Sequence, residues 1–110
     1  MAYDEDLAER LREILAAEPG LRERRMFGGL AFLINGHLAV SASGRGGLLL
    51  RVDPARTDEL VAPPRIGRFE MRGREMDGWL RVDAEAVGTD ADLERWTALG
   101  VDYAKSLPPK

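Results

Sequence analysis

Arg24-Arg25-Met26-Phe27-Gly28-Gly29-Leu30-Ala31-Phe32-Leu33-Ile34-Asn35-Gly36-His37-Leu38-Ala39-Val40 is the stretch on which the fold turns. Two apolar runs flank Asn35-Gly36, and both turn residues tolerate positive φ, so the spacing predicts a β-hairpin closed by a two-residue turn. The segment opens an antiparallel sheet. It carries no obvious reactive group.

Working outward, strands are expected near 27–34, 37–43 and 47–52, the second and third joined by the flexible turn Ser43-Gly44-Arg45-Gly46. The cluster Gly44-Arg45-Gly46-Gly47 reads as that turn and not as a phosphate loop, because a strand-like Leu48-Leu49-Leu50 follows it where a phosphate loop needs a helix. Upstream, Leu7, Leu11, Ile14 and Leu15 fall on one face of a helix over residues 5–17. Asp4, Glu5 and Asp6 suit its N-terminal dipole, and Pro19-Gly20 stops it. Leu21 to Arg25 reads as a charged connector.

Downstream, Asp53 caps and Pro54 starts a second helix running to about Val61, where Pro63-Pro64 prevents continuation. Residues 67–82 return to strand; Arg72-Gly73 and Asp77-Gly78 are both turn-like and leave the register open. Thr89 or Asp90 caps a last helix reaching about Ser106, with Leu93, Trp96, Gly100, Tyr103 and Leu107 on one stripe. A mid-helix glycine costs about 1 kcal/mol against alanine, which close packing of Gly100 on the sheet would offset. The order α-β-β-β-α-β-β-α predicts an α+β fold: a five-stranded antiparallel sheet with helices packed on it. One domain is expected over residues 1–110.

The chain has 110 residues, 45% hydrophobic and 32% charged, the balance of a folded globular protein and not of a disordered one. It contains no cysteine, which excludes disulfides, thiolate zinc sites and cysteine nucleophiles. The acidic start Met1-Ala2-Tyr3-Asp4-Glu5-Asp6 does not read as a secretory signal, and the longest apolar run, Leu30 to Ile34, is too short to span a bilayer. A cytoplasmic location without membrane contact is expected. The net charge of -3 is unevenly spread: residues 1–20 carry -4, residues 21–81 carry +4 and residues 82–110 carry -3. Either these regions attract each other within the fold or across a dimer, or an arginine surface meets phosphate.

Met26-Phe27-Gly28-Gly29, the Asn35-Gly36 hairpin, Leu48-Leu49-Leu50-Arg51-Val52, Met76-Asp77-Gly78-Trp79, Trp96 and Tyr103-Ala104-Lys105-Ser106-Leu107-Pro108 together resemble the TfoX N-terminal domain family, from about residue 6 to the end. The resemblance implies a fold like that of small secretion chaperones, which often dimerise. It also implies a non-catalytic regulatory or adaptor role through protein–protein contact, as in regulators of bacterial competence that act with a cyclic-AMP-responsive transcription factor. Those regulators carry a further C-terminal helical domain, which these 110 residues do not include. The family brings no catalytic residues, cofactor or metal. Some members are labelled RNA methyltransferases, but no glycine-rich loop between strand and helix supports a methyl-donor site here. Expected partners are a second copy of the chain and a protein, with the transcription machinery as one candidate.

Three groups of residues are candidate sites. Arg65, Arg68, Arg72, Arg74 and Arg81 form a candidate nucleic-acid contact, since guanidinium binds phosphate bidentately. Arg72 and Arg74 would act together on a regular strand, although Glu70, Glu75 and Asp77 are interleaved with them. Met26, Phe27 and Trp79 are candidate interface residues, with the domain core as the competing place for them. His37, the single histidine, lies directly after the turn and is expected to be solvated. Asp83, Glu85, Asp90 and Asp92 are read as caps and solvated acids, not as a metal site.

Overall fold

The computed structural model describes residues 3–26 and 28–109. The chain is α+β, as its order of elements predicts. Helix α1 (Glu5–Leu15) leads into β1 (Leu21–Met26), β2 (Gly29–Ile34), β3 (His37–Ala42) and β4 (Leu48–Arg51). A 3₁₀ turn at Pro54–Arg56 precedes the short α2 (Thr57–Leu60). Strands β5 (Ile66–Met71) and β6 (Arg74–Val82), a second 3₁₀ turn at Ala84–Val87 and α3 (Asp90–Ser106) complete the order. The sheet is antiparallel with strand order β1-β2-β3-β4-β6-β5.

The sheet has six strands where five are expected. The added one is β1, which occupies the segment read as a charged connector. Its four central residues are exposed. An edge strand with water on both sides needs no apolar alternation, so the usual strand signal is absent. The glycine pair therefore lies at a hairpin turn between β1 and β2, with Met26 opposite Gly29 and Gly28 at φ 75°.

The other turns follow local chemistry. Asn35 and Gly36 both take positive φ, 55° and 87°, as a type I′ hairpin demands, and Arg72 and Gly73 repeat this between β5 and β6 at 54° and 79°. Asp77-Gly78 is not a turn: it lies inside β6, where the β5 register shifts between Arg68 and Phe69. The bulge is pinned from outside the sheet. Gly78 N–H donates to the buried Thr57 Oγ1 at 2.7 Å, and Thr57 Oγ1 donates to Pro54 O at 2.8 Å.

Helix boundaries come from their caps. The Asp4 carboxylate accepts from Asp6 and Leu7 N–H, the Asp53 carboxylate from Ala55 N–H and the Thr89 hydroxyl from Asp92 N–H. One sheet face carries Leu30, Phe32, Val40, Ala42, Leu48, Leu50, Leu80 and Val82 in register, and Leu7, Leu11 and Leu15 of α1 and Leu93, Trp96 and Val101 of α3 pack with them into the core. A Cβ on Gly100 would lie 2.2 Å from Ala39 O, so the glycine lets α3 approach the β3 backbone. On the other face one row runs Arg24, Ala31, Ser41, Leu49, Arg81, Gly67 across all six strands.

Candidate functional site

The five arginines of residues 65–81 are not gathered into one phosphate-binding surface. Arg65 pairs with Glu85 at 3.3 Å. Arg68 donates to Asp77 at 2.9 Å and also pairs with Asp58; these bonds, Asp77 first, raise its pKa further. Arg72 stands in the hairpin turn with left-handed backbone, so strand alternation does not align it with Arg74. Arg81 lies seven positions beyond Arg74 in β6, on the order of 20 Å along the strand. Glu70 and Glu75 face each other across the same hairpin. Arg72, Arg74 and Arg81 are exposed and have no carboxylate partner among the described residues.

The interface candidates are also separated. Met26 is half-buried at the end of β1, and Phe27 lies outside the described residues. Trp79 is half-buried in β6, with three strands between it and β1. It stands opposite Arg51, whose guanidinium lies 5.3 Å from the indole centroid and 5.5 Å from the Tyr103 ring. That cation links β4, β6 and α3. Sequence reasoning did not single out Arg51, and only cross-strand register brings it to Trp79.

His37 is buried, not solvated. Its Nε2 lies 2.6 Å from Pro108 O, and a carbonyl only accepts, so Nε2 carries the proton and donates. Nδ1 is buried without a hydrogen-bond partner among the described residues. The tail after α3 folds back on the start of β3, a long-range contact that local sequence cannot show. Two hydroxyls near the sheet are occupied, since Ser41 Oγ donates to Leu30 O at 3.1 Å and Thr57 Oγ1 holds the Gly78 bulge, whereas the buried Thr97 Oγ1 of α3 has no hydrogen-bond partner among the described residues.

The feature with the clearest capacity to engage another molecule is β1. It is an outer strand of the sheet and pairs with β2 over six successive residues without a register shift. Arg22, Arg24 and Arg25 are exposed and have no ion-pair partner among the described residues. Glu23 is different: its carboxylate accepts from Arg12 Nε at 2.8 Å and from Nη2 at 2.9 Å. Those bonds hold its pKa below the ordinary 4.5. Arg12 also pairs with Glu9, and its own pKa is raised, chiefly by Glu23. A cleft of about 380 Å³ beside the strand is lined by Arg22, Glu23, Arg24, Leu33 and Gly36.

Among the described residues no group of three or more His, Cys, Asp or Glu is placed to hold a metal ion, and no helix is long and apolar enough to cross a membrane. The family model for the TfoX N-terminal domain matches residues 13–104. No curated protein and no solved structure gives a significant match.

Proposed function

The chain belongs to the TfoX N-terminal domain family, and from that membership we propose a regulatory or adaptor domain that acts by binding another protein and performs no catalysis. The family is linked to competence regulation. The observation that carries the reading is the β1 edge: a continuous strand at the margin of the sheet, solvated along its centre, beside a cleft with an apolar member. Such an edge offers main-chain hydrogen bonds to a partner. Two hydroxyls that could serve as nucleophiles, Ser41 and Thr57, are engaged by backbone groups of the fold, which supports a non-catalytic role.

Self-association belongs to the proposal, since a chain of 110 residues has a small core of its own. Sedimentation at high micromolar concentration is expected to give a dimer; a monomer there removes this part. A second reading, direct nucleic-acid binding, draws on the exposed and unpaired Arg72, Arg74 and Arg81.

The adaptor reading is tested by crosslinked affinity capture from the native cell, followed by reconstitution with the purified captured protein. A stoichiometric complex without chemical turnover is expected. Failure to reconstitute one, together with tight binding of mixed duplex DNA at low salt, overturns the adaptor in favour of the nucleic-acid reading, because electrostatic affinity is greatest at low salt.

A further inference from the structure

The two edges of the sheet differ. At β5, Ala62 and Ile66 exchange backbone hydrogen bonds of 2.9 and 3.1 Å, so a return segment covers the strand's start, and the register shift at Arg68/Phe69 bends its middle. Bulges and covering segments are how sheets close their margins. At β1 neither device is present among the described residues.

The pairing of β1 with β2 shows which backbone groups point outward. Asn35 N–H donates to Gly20 O at 3.2 Å, which makes that pair a hydrogen-bonded one. Antiparallel ladders alternate, so Arg22, Arg24 and Met26 bond to β2, while Leu21, Glu23 and Arg25 direct N–H and C=O away from the sheet.

A second copy is a poorer match there than an acidic strand. Two β1 strands paired antiparallel about a two-fold axis must set outward groups against outward groups, so one residue meets its own copy. Between Arg22 and Arg25 every such centre, Arg22, Glu23, Arg24 or Arg25, places like charges directly opposite. The same charge selects its complement: Glu23 is neutralised by Arg12, which leaves three arginines, with Arg22 and Arg24 on one face over the cleft that Leu33 helps to line.

We propose that β1 receives an extended acidic segment of a partner protein as a seventh strand. Its main chain bonds to Leu21, Glu23 and Arg25, and carboxylates on alternate residues meet Arg22 and Arg24. The inference rests on the adaptor reading and names the surface and the chemistry of its partner.

The probe is a labelled octapeptide of alternating Glu and Val, read by fluorescence anisotropy at physiological salt. Comparators are its Lys/Val counterpart and a version N-methylated at alternate residues, which lacks the donors a strand needs. Expected results are binding of the acidic peptide, at least tenfold weaker binding after N-methylation or in Arg22→Glu/Arg24→Glu, no binding of the Lys peptide, and slowed exchange of the Leu21, Glu23 and Arg25 amides. The double variant alters only exposed side chains, and its melting curve verifies the fold. Undiminished binding of the N-methylated peptide, undiminished binding to the double variant, or no binding of the acidic peptide each overturns the proposal. A captured partner that binds the double variant as well as the wild type leaves the adaptor reading standing and removes this edge as its site.

Discussion

His37 Nε2 and Pro108 O lie 2.6 Å apart across 71 positions of sequence, and this bond ties the tail beyond α3 to the first residue of β3. Replacing His37 by Ala removes the donor while leaving an acceptor on exposed Pro108 that water can reach. The expected loss of stability is therefore modest, about 1–2 kcal/mol. The Leu107 amide, bonded to Ala104 O at 3.3 Å, should exchange faster with solvent in the variant. Unchanged Leu107 exchange in the variant would show that the tail is held without the imidazole.

Gly100 separates helix propensity from packing. Gly→Ala in an open helix gains about 1 kcal/mol. Here the added carbon would sit 2.2 Å from Ala39 O and 2.7 Å from Leu50 Cδ1. Gly100→Ala should destabilise by about 1–3 kcal/mol in urea unfolding. Gly88, where the nearest such contact is an ordinary 3.6 Å, provides the control and should change little on substitution. Equal midpoints for the two variants would contradict the close approach of α3.

Thr57 is 1% exposed and serves both sides of its hydroxyl, donating to Pro54 O and accepting from Gly78 N–H. Thr57→Val keeps the shape and strands a buried N–H. A loss of about 1–3 kcal/mol is expected, with Thr57→Ser retaining most of the stability. If Val and Ser behaved alike, the hydroxyl would not be what holds the β6 bulge.

Acid should weaken the α1–β1 contact in a defined window. The Glu23 carboxyl titrates below 4.5 in the folded chain because Arg12 hydrogen-bonds its charged form. A depressed folded pKa means that the contribution is complete above the unfolded value and is lost as pH falls through the folded one. The stability difference between wild type and Glu23→Gln should thus be flat above about pH 5.5 and shrink progressively below 4.5. A difference that grows on acidification would reverse the assignment.

Trp79 distinguishes folding from association. Its ring is half-buried and carries Arg51 at 5.3 Å. Trp79→Ala should lower stability by roughly 1–3 kcal/mol, less than a fully buried aromatic, with sedimentation unchanged. Unchanged melting with lost self-association would instead make it an interface residue.

Much of the fold was legible locally. The Asn35-Gly36 hairpin, the Asp53 and Thr89 caps and the close seat of Gly100 each follow from a few neighbouring residues. The candidate site was less legible. Leu21 to Arg25 gives no strand signal, because the alternation that marks strands records burial of one face and β1 buries neither. Asp77-Gly78 has the composition of a turn, and only Thr57, twenty-one positions upstream of Gly78, makes it a bulge. The arginines of residues 65–81 read as a patch in the sequence, yet Asp58, Asp77 and Glu85 take two of them, and the hairpin turn and β6 hold the other three apart.

The α+β class, most of the turns and the helix ends follow from local sequence, since dihedral preference, capping and hydrophobic period act over a few residues. Long-range packing settles that a charged stretch forms the open margin of the sheet, that His37 is buried under the tail, and which arginines among the described residues have no carboxylate partner. Those outcomes depend on which distant groups come within hydrogen-bonding reach, and that distance is set by the packing of the whole chain.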